Sequence, residues 1–232
     1  MSEADRIKDA YRRRDADGRS ALYSPFVKSA LLGMHTAERA LIAALKRQGI
    51  DTLNGKRILD VGCGNGRNLQ RLVDLGAEPE LLCGVDLRED AIERGVGLNP
   101  GIDLRVANAE ELPFGDASFD LVTQYTAFTS ILDDGMRSRV AAEMLRVLRP
   151  GGLIVWFDFR YSNPRNSDVR GIGRSEIRRL FPECDVSLRR VVLAPPLARR
   201  IAPVSYSLAA ALSAFPWLCT HDMGTIKKGE TA

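Results

Sequence analysis

A glycine-rich loop is the first feature of the sequence that could do chemistry. The segment Asp60-Val61-Gly62-Cys63-Gly64-Asn65-Gly66 follows a short apolar run and precedes a helix-like stretch that begins near Arg67. Glycines let the backbone turn tightly and approach a ligand, and the free amides at a helix start point toward the same place. Loops of this kind also occur in nicotinamide and flavin sites and in structural turns. The loop on its own therefore predicts only a ligand-binding turn.

Two acids narrow the choice of ligand. Asp86 ends the next apolar run, twenty residues after Gly66, where a carboxylate can bind both hydroxyls of a ribose. Alternatively, Asp86 caps the helix that starts near Arg88, and the two roles are compatible. The loop lacks the third glycine of the dinucleotide pattern, and Asp60 would repel a pyrophosphate but attract an ammonium group. The predicted ligand has adenosine at one end and a cationic amino acid at the other.

The elements that must position these residues alternate along the chain from Gly55 onward. Apolar, β-branched runs at 56–61, 81–86, 102–106, 119–124 and 153–157 indicate strands, and helix-like stretches separate them. The clearest helix covers 134–148, capped by Asp133 or Asp134 and stopped by 149–152. Strands separated by helices predict an α/β fold with a doubly wound, mostly parallel sheet and helices on both faces.

Five segments of the chain occur together, in the same order and spacing, in one known family. They are 57–66, 84–86, 108–114, 118–122 and 146–152, and together they span about a hundred residues. In these segments the chain resembles the class I S-adenosylmethionine-dependent methyltransferases, and most of all the bacterial type 11 enzymes that act on small molecules. The resemblance implies a Rossmann-like sheet of seven strands, with the sixth over 184–193 and an antiparallel seventh over 218–228.

The resemblance also implies that S-adenosylmethionine is the cofactor. Asp60 would hold the glycine loop and the amino group, Asp86 would bind the ribose, and Leu87 would pack on the adenine. Asn108 stands where the family usually has aspartate, and its amide oxygen can still accept the hydrogen bond from the adenine amino group. The implied cofactor-binding residues are Asp60, Gly62, Cys63, Gly64, Asn65, Gly66, Asp86, Leu87, Asn108, Ala109, Glu110 and Gln124.

Three places offer groups for the methyl acceptor. An alcohol acceptor needs a base, and an amine must be held unprotonated. Polar residues follow the fifth strand, although Asn-Pro and Arg-Asn also form ordinary loops. The antiparallel seventh strand would present His221 at the ligand edge, as a base or as an ordinary strand-end histidine. With the N-terminal residues included, the predicted catalytic residues are His221, Asp158 and His35, and the predicted substrate-binding residues are Tyr23, Arg160, Asn163 and Asn166.

The remaining segments predict two coverings for the site. Residues 1–52 precede the first strand and are expected to form an N-terminal helical cap, and 53–232 the methyltransferase domain with a lid insertion at about 194–217. The apolar side chains expected to cover the pocket and exclude water are Leu208, Leu212, Phe215 and Trp217. The alternative for this stretch is an interfacial contact with a membrane, flanked by basic residues.

Composition excludes several other classes of protein. A chain of 232 residues with 45% hydrophobic residues is globular rather than disordered or collagen-like. Its four cysteines are widely separated, which argues against a metal site or a disulfide framework and fits a reducing cytoplasm. The charged N-terminus lacks the apolar core of a secretory signal. Residues 137–200 contain 14 arginines, no lysine and six acids, which indicates a solvated basic surface or attraction to an anionic substrate.

Together these features predict a methyltransferase that acts on a small polar acceptor in the cytoplasm. The specific prediction is O-methylation of a hydroxyl or acid on a sugar, glycan or natural product. The alternatives are an N-methyltransferase of a small amine and a non-catalytic S-adenosylmethionine-binding partner subunit. A nucleic-acid acceptor is disfavoured because the basic charge is spread over helices without an RNA-binding module. No stable membrane insertion is expected, and a homodimer is left open.

Overall fold

The structure, a computed structural model, describes residues 1–18, 22 and 24–230. The strands are β1 Ile58–Val61, β2 Leu82–Asp86, β3 Asp103–Val106, β4 Phe119–Tyr125, β5 Leu148–Phe159, β6 Asp185–Leu193 and β7 Cys219–Lys227. The α-helices of the described ranges are α1 Glu3–Ala16, α2 Lys28–Arg47, α3 Arg67–Asp74, α4 Glu89–Leu98, α5 Asp134–Val147, α6 Arg174–Leu180, α7 Pro195–Ile201 and α8 Tyr206–Leu212. Among these described helices, none combines the length and the apolar character needed to cross a membrane.

All seven strands form one sheet in the order β3-β2-β1-β4-β5-β7-β6. Strands β1 to β5 run parallel, and β7 is antiparallel to both β5 and β6. The predicted fold class, a doubly wound and mostly parallel seven-stranded sheet with an antiparallel last strand, is confirmed. The carboxyl ends of β1, β2 and β4 meet at one edge, and β7 starts at that edge, where His221 pairs with Phe159.

Helices cover both faces of the sheet, so its strands are apolar on both sides. On one face Val122 and Trp156 pack into a cluster that includes Met144 of α5. On the other face Leu121 and Val155 pack with Leu41 of α2 and with α3. The near-continuous apolar runs of the central strands follow from this two-sided burial, which holds the strand ends rigidly in place.

The helix predicted over 134–148 is present as α5, and of the two predicted caps, Asp133 and Asp134, it is Asp133 that caps the helix. The Oδ1 of Asp133 accepts a hydrogen bond from the backbone N of Met136 at 2.5 Å. The fifth strand starts earlier than the sequence predicts. It begins at Leu148, which pairs with Phe119. The strand runs irregularly through Gly151, which supplies the positive φ of 72° needed there.

The segment 194–217 folds differently from the prediction. Helices α7 and α8 bury small side chains against α2 and the end of β6, and these side chains are Ala198, Ala202 and Ala209. Most of the large apolar residues point to solvent instead, with exposed fractions of 53% for Leu208, 43% for Phe215 and 71% for Trp217. The prediction that these three side chains cover a pocket is therefore wrong, because the alanine faces of the two helices take the buried positions.

Arg137 is a fully buried cation of α5 on which the loop after β4 depends. Its guanidinium donates to the Ile131 carbonyl at 2.7 Å, to Glu176 at 2.6 Å and to the Arg170 carbonyl at 3.1 Å. Arg137→Ala would remove the donor from the two backbone carbonyls and leave Glu176 with its longer contact to Arg170 at 3.2 Å. We therefore expect it to lower the free energy of unfolding by about 3–5 kcal/mol. Urea denaturation measures the change.

The exposed Arg139 of the same helix provides the matched control for this prediction. Its side chain is 59% exposed and pairs with Glu110, so Arg139→Ala should cost less than about 1 kcal/mol. Equal losses of stability in the two variants would contradict the role given to Arg137.

Candidate active site

The loop between β1 and α3 turns on three glycines in the left-handed region of backbone space. Their φ angles are 75° for Gly62, 56° for Gly64 and 77° for Gly66. A Cβ on Gly62 would lie 2.8 Å from the Cβ of Ala127, so the loop packs directly against the chain that follows β4. Between the glycines, Cys63 is buried and Asn65 is half-buried. The loop can therefore bring backbone amides close to a ligand, as the sequence predicts.

Asp86 fixes this loop and also lines a cleft. Its Oδ2 accepts from the N of Gly64 at 2.8 Å, and its Oδ1 accepts from the N of Arg88 at 2.9 Å. Each carboxylate oxygen keeps a second lone pair for a ligand. The resemblance assigned the loop-holding role to Asp60, whereas the hydrogen bonds assign it to Asp86. A turn-stabilising role and a ligand-binding role are compatible at this position.

Asp60 lies beneath the loop with one oxygen unpaired. It is 1% exposed, and its Oδ1 accepts from the hydroxyl of Thr123 at 2.6 Å. Its Oδ2 is buried and has no hydrogen-bond partner within the described part of the chain. Burial raises the pKa of Asp60 to about 7, against the lowering effect of the Thr123 hydrogen bond. A cationic group on a ligand would supply the missing partner of this carboxylate.

A cleft opens at the carboxyl ends of the first three strands, beside Asp86. The cleft and the open space at its mouth together amount to about 580 Å³. Apolar groups make up much of its lining, among them Leu87, Ala109, Ala127 and Met136. An apolar slot next to a carboxylate is suited to a nucleoside, whose base is flat and whose ribose carries two hydroxyls.

Helix α1 covers this cleft with residues that the sequence interpretation did not assign. Ile7 and Tyr11 line the cleft, and the Tyr11 hydroxyl lies 3.1 Å from the Oγ of Ser130. The guanidinium of Arg88 lies 4.6 Å from the centre of the Tyr11 ring and pairs with Asp15 at 3.0 Å. Ile7 and Tyr11 are four residues apart and so share a helix face, the one sequence signal that could have identified them.

The other residues predicted to bind the cofactor are held by local contacts. Asn108 accepts from the N of Glu110 at 3.1 Å through its Oδ1, and Glu110 pairs with Arg139 at 2.6 Å. Gln124 is fully buried, and its Oε1 accepts from the N of Ala127 at 3.1 Å. Contacts of Asn108, Glu110 and Gln124 with the cofactor stay predictions.

His221 lies at the start of β7, at the same edge as the cleft but beyond β4 and β5. Its ring is stacked on Phe157, with 4.9 Å between centroids and 9° between planes, and lies 4.0 Å from the Phe159 ring. Its Nδ1 is 3.2 Å from the Oγ1 of Thr220. Burial lowers the pKa of His221 to about 4. The imidazole is therefore neutral at physiological pH and can accept a hydrogen bond.

Tyr125 lies at the sheet edge between Asp60 on the cofactor side and His221 on the acceptor side. The sequence interpretation did not identify it as a site residue. Its ring contacts Phe157, with 5.6 Å between centroids. Burial raises the pKa of the Tyr125 phenol, and the nearby charge of Asp60 raises it further. Tyr125, Phe157 and His221 therefore form a row of contacting rings along the strand ends, and Asp60 lies at the Tyr125 end of this row, within electrostatic range of the phenol.

Asp158 and Arg160 are engaged within the protein. Asp158 accepts from the hydroxyl of Thr129 at 2.6 Å and from its N at 3.1 Å. Burial raises the pKa of Asp158 to about 6, against the lowering effect of the Thr129 hydrogen bonds. Arg160 pairs with the buried Asp222 at 3.1 Å. Asp158 therefore fixes the loop after β4, and Arg160 is anchored beside the start of β7.

The remaining predicted acceptor residues lie away from the cleft or outside the described residues. The Nδ1 of His35 is 2.9 Å from the Tyr206 hydroxyl on α8. Asn163 and Asn166 each accept from a backbone amide two residues onward, which is a turn arrangement. Tyr23 lies outside the described residues. Among the ranges described, no contact joins His35, Asn163 or Asn166 to the cleft or to His221.

The chain is similar to known proteins both in sequence and in fold. Residues 58–152 match the family model described as a methyltransferase domain. Phthiotriol/phenolphthiotriol dimycocerosates methyltransferase 1 of Mycobacterium ulcerans is 37% identical over 55% of this chain and 46% of its own length. The 27-O-demethylrifamycin SV methyltransferase of Amycolatopsis mediterranei is 37% identical over 45% of this chain and 39% of its own length. The chain thus spans less than half the length of either relative.

A solved structure resembles the chain over nearly its whole length. It is the 1,6-didemethyltoxoflavin-N1-methyltransferase of Burkholderia thailandensis, with a TM-score of 0.66 and 18% identity, covering 97% of this chain and 88% of that one. This similarity concerns the fold. The glycine loop, the unpaired oxygen of Asp60 and the remaining acceptor capacity of Asp86 fit the cofactor that the sequence implies. Residues 58–152 are therefore a methyltransferase domain of the class I S-adenosylmethionine-dependent type, with S-adenosylmethionine as its cofactor.

Proposed function

We propose that this chain transfers the methyl group of S-adenosylmethionine to a hydroxyl of a small natural-product acceptor. The observation that carries the proposal is the row of side chains from the unpaired Oδ2 of Asp60 to the neutral ring of His221. One end of this row suits the amino group of the cofactor, and the other suits an acceptor hydroxyl. The name of the rifamycin relative, a 27-O-demethylrifamycin SV methyltransferase, supports an oxygen acceptor.

When bound, S-adenosylmethionine supplies a methyl group already activated by its positive sulfur, so the protein mainly has to align the reactants. Orientation of reactants can lower a barrier by roughly 7–11 kcal/mol. In our proposal Asp86 binds the ribose hydroxyls, Leu87 and Ala109 contact the adenine, and Asp60 pairs with the amino group. Helix α1 covers the nucleoside and limits the access of water to it.

We assign the proton-accepting role to His221. An alcohol oxygen that gains a methyl group becomes far more acidic than an imidazolium ion, so even a histidine whose pKa is about 4 can take its proton. Phe157 and Phe159 form an aromatic wall on which the body of the acceptor can rest. Asp158 acts through the loop after β4, because Thr129 and the N of Phe159 occupy its carboxylate oxygens.

The acceptor would contact groups around this wall. We keep Arg160, Asn163 and Asn166 as proposed substrate-binding residues at the end of β5, and Tyr23 and His35 as proposed contributions of the N-terminal segment 1–52. Activity in the cytoplasm and assembly as a homodimer stay predictions of the sequence.

Transfer of a labelled methyl group tests the proposal. The full chain is incubated with S-adenosylmethionine tritiated at the methyl group and with an extract of small metabolites, which is then separated by chromatography. We expect label in a product whose methyl group is attached to oxygen. A labelled methyl group attached to nitrogen would show that the acceptor is an amine and not a hydroxyl. Tight cofactor binding without labelled product would instead identify a non-catalytic subunit.

The pKa of Asp60 predicts how cofactor affinity depends on pH. The ammonium group of the cofactor favours ionised Asp60, whose pKa in the free protein is raised to about 7. Affinity is therefore highest above pH 7 and declines as the pH falls below it. Between about pH 7.5 and 5.5 we expect roughly a 25-fold loss of affinity in calorimetry. At about pH 7.5 the Asp60→Asn variant should bind the cofactor more weakly than the wild type. Its affinity should change little between the two pH values. A pH-independent affinity of the wild-type chain would contradict the pairing.

A further inference from the structure

The clearest feature that the proposed function leaves unused is an exposed apolar surface on α8 and the segments around it. Large apolar side chains that are exposed within the described ranges number eleven, and six of them lie at 22–26 or 204–217. We define the apolar face as five of these, with exposed fractions of 97% for Phe26, 87% for Val204, 53% for Leu208, 43% for Phe215 and 71% for Trp217. Exposed side chains of this size mark interaction surfaces when they cluster.

Contacts between the segments hold these side chains on one side of the molecule. The Nζ of Lys28 donates to the carbonyl of Pro203 at 3.2 Å, which joins the chain after Phe26 to the turn that carries Val204. His35 and Tyr206 tie α2 to α8. The rings of Phe215 and Trp217 are in contact, with 5.2 Å between centroids. The apolar face therefore spans the start of α2, the turn between α7 and α8, and the chain that leads into β7.

The charge around the apolar face has one sign. Residues 24–37 and 194–218 contain no aspartate or glutamate. Their charged residues are Lys28, Arg199 and Arg200, all exposed, and neither arginine has an acidic partner in the part of the chain described. By contrast, α4 places its exposed Leu98 on a helix with Glu89, Asp90 and Glu93. The apolar face thus favours an anionic partner.

We propose that the apolar face binds the surface of an anionic membrane. Aromatic and aliphatic side chains beside arginines are the combination that inserts shallowly among lipid headgroups while the cations meet the phosphates. The side chains project outward, which suits a deformable lipid surface. A second copy of this chain is disfavoured as the occupant, because two acid-free basic surfaces repel each other.

The position of the apolar face links it to the acceptor site. Strand β6 ends at Leu193, which pairs with Cys219, two residues before His221. The N of Ala194 donates to the carbonyl of Leu218 at 2.8 Å, so the segment 194–218 leaves and rejoins the sheet at the acceptor edge. A membrane-bound molecule would hold this edge toward the lipid, where an amphiphilic acceptor could enter. This last step rests on the proposed function, whereas membrane binding does not.

Tryptophan fluorescence tests membrane binding directly. The chain has two tryptophans, of which Trp156 is fully buried and Trp217 is 71% exposed. We expect vesicles that contain phosphatidylglycerol to shift the emission of Trp217 to shorter wavelength and to sediment with the full chain. Vesicles of phosphatidylcholine alone should do so more weakly. No shift and no co-sedimentation with the anionic vesicles would overturn the proposal.

A pair of variants tests whether vesicle binding depends on the apolar face or is nonspecific adsorption of the protein. Leu208→Asp places an acid in the first turn of α8, where helices tolerate acids well, and should reduce vesicle binding about tenfold or more. Leu98→Asp places the same acid on an exposed leucine outside the apolar face, at the end of α4, and should bind vesicles like the wild type. Thermal unfolding confirms that both variants are folded. Equal losses in both variants, or a dimer that Leu208→Asp disrupts in place of vesicle binding, would overturn the assignment.

Neither outcome depends on methyl transfer, which the labelling experiment measures separately. A chain that binds vesicles but transfers no methyl group would retain the membrane proposal and lose the proposed function. A chain that transfers methyl groups to a soluble acceptor without binding vesicles would do the reverse.

Discussion

Asp86→Ala is expected to weaken the binding of S-adenosylmethionine by about 100-fold or more. The wild-type carboxylate would accept hydrogen bonds from two ribose hydroxyls, and each charged hydrogen bond contributes about 1.5–3 kcal/mol. The variant also frees the N of Gly64, which Asp86 binds at 2.8 Å, so the glycine loop loses a fixed point as well. Isothermal titration calorimetry with the cofactor measures the change.

Two controls show whether the loss is specific to the ribose. Asp86→Asn keeps two acceptor lone pairs and much of the shape, and we expect it to lose less affinity than the alanine variant. Asp103→Asn removes a carboxylate at the far end of β3, where its partner is Arg105, and should bind the cofactor like the wild type. Unchanged affinity in Asp86→Ala would exclude the ribose assignment.

His221→Phe is expected to lower kcat for methyl transfer by about 100-fold to 10,000-fold, the range that a positioned base contributes. Phenylalanine keeps the stacking on Phe157 but can neither orient an acceptor hydroxyl nor take its proton. Because His221 lies beyond β4 and β5 from the cofactor cleft, cofactor affinity should change little. Labelled methyl transfer, once an acceptor is in hand, gives kcat, and calorimetry gives the affinity.

The pH profile distinguishes His221 from Asp60. With a pKa of about 4, His221 stays neutral down to about pH 5, so kcat at saturating cofactor should be flat between pH 8 and 5.5. The KM for the cofactor should rise over the same range, as ionised Asp60 is lost below its pKa of about 7. A matched replacement, His35→Phe, tests the other candidate histidine. A larger loss of kcat in His35→Phe than in His221→Phe would transfer the base role to α2.

The glycine loop and the placement of Asp60 and Asp86 beside it could be predicted because local chemistry and topology determine them. The three glycines Gly62, Gly64 and Gly66 predict a tight turn by residue type alone. Parallel strands joined by helices then bring the ends of β1 and β2 to one edge, so Asp60 and Asp86 must lie near each other. The antiparallel β7 likewise places His221 at that edge, and it does so in the structure.

The remaining features depend on partners that are distant in sequence. Asp158 looks like a free acid in the sequence, but Thr129 engages it from the loop after β4. In α8 the neighbours Leu208 and Ala209 exchange their expected roles, because Ala209 packs into a buried cluster with Leu32 of α2 while Leu208 is exposed. Hydrophobicity alone would bury the leucine, and only the tertiary packing of α8 decides which of its faces is buried.

The way in which α1 is attached has a consequence for how salt would affect the cleft that it covers. Of the residues of α1, all of which the structure describes, Ile7 is the one that is buried. Tyr11 adds a half-buried ring and a hydroxyl 3.1 Å from the Oγ of Ser130. Charged contacts hold the rest of the helix, through Glu3 to the N of Leu132, Arg13 to Asp168 and Asp15 to Arg88. Dissolved ions screen such attachments but leave apolar packing intact. If the proposed function holds and the spent cofactor leaves past α1, which lines the cleft, its release should therefore accelerate as the ionic strength rises.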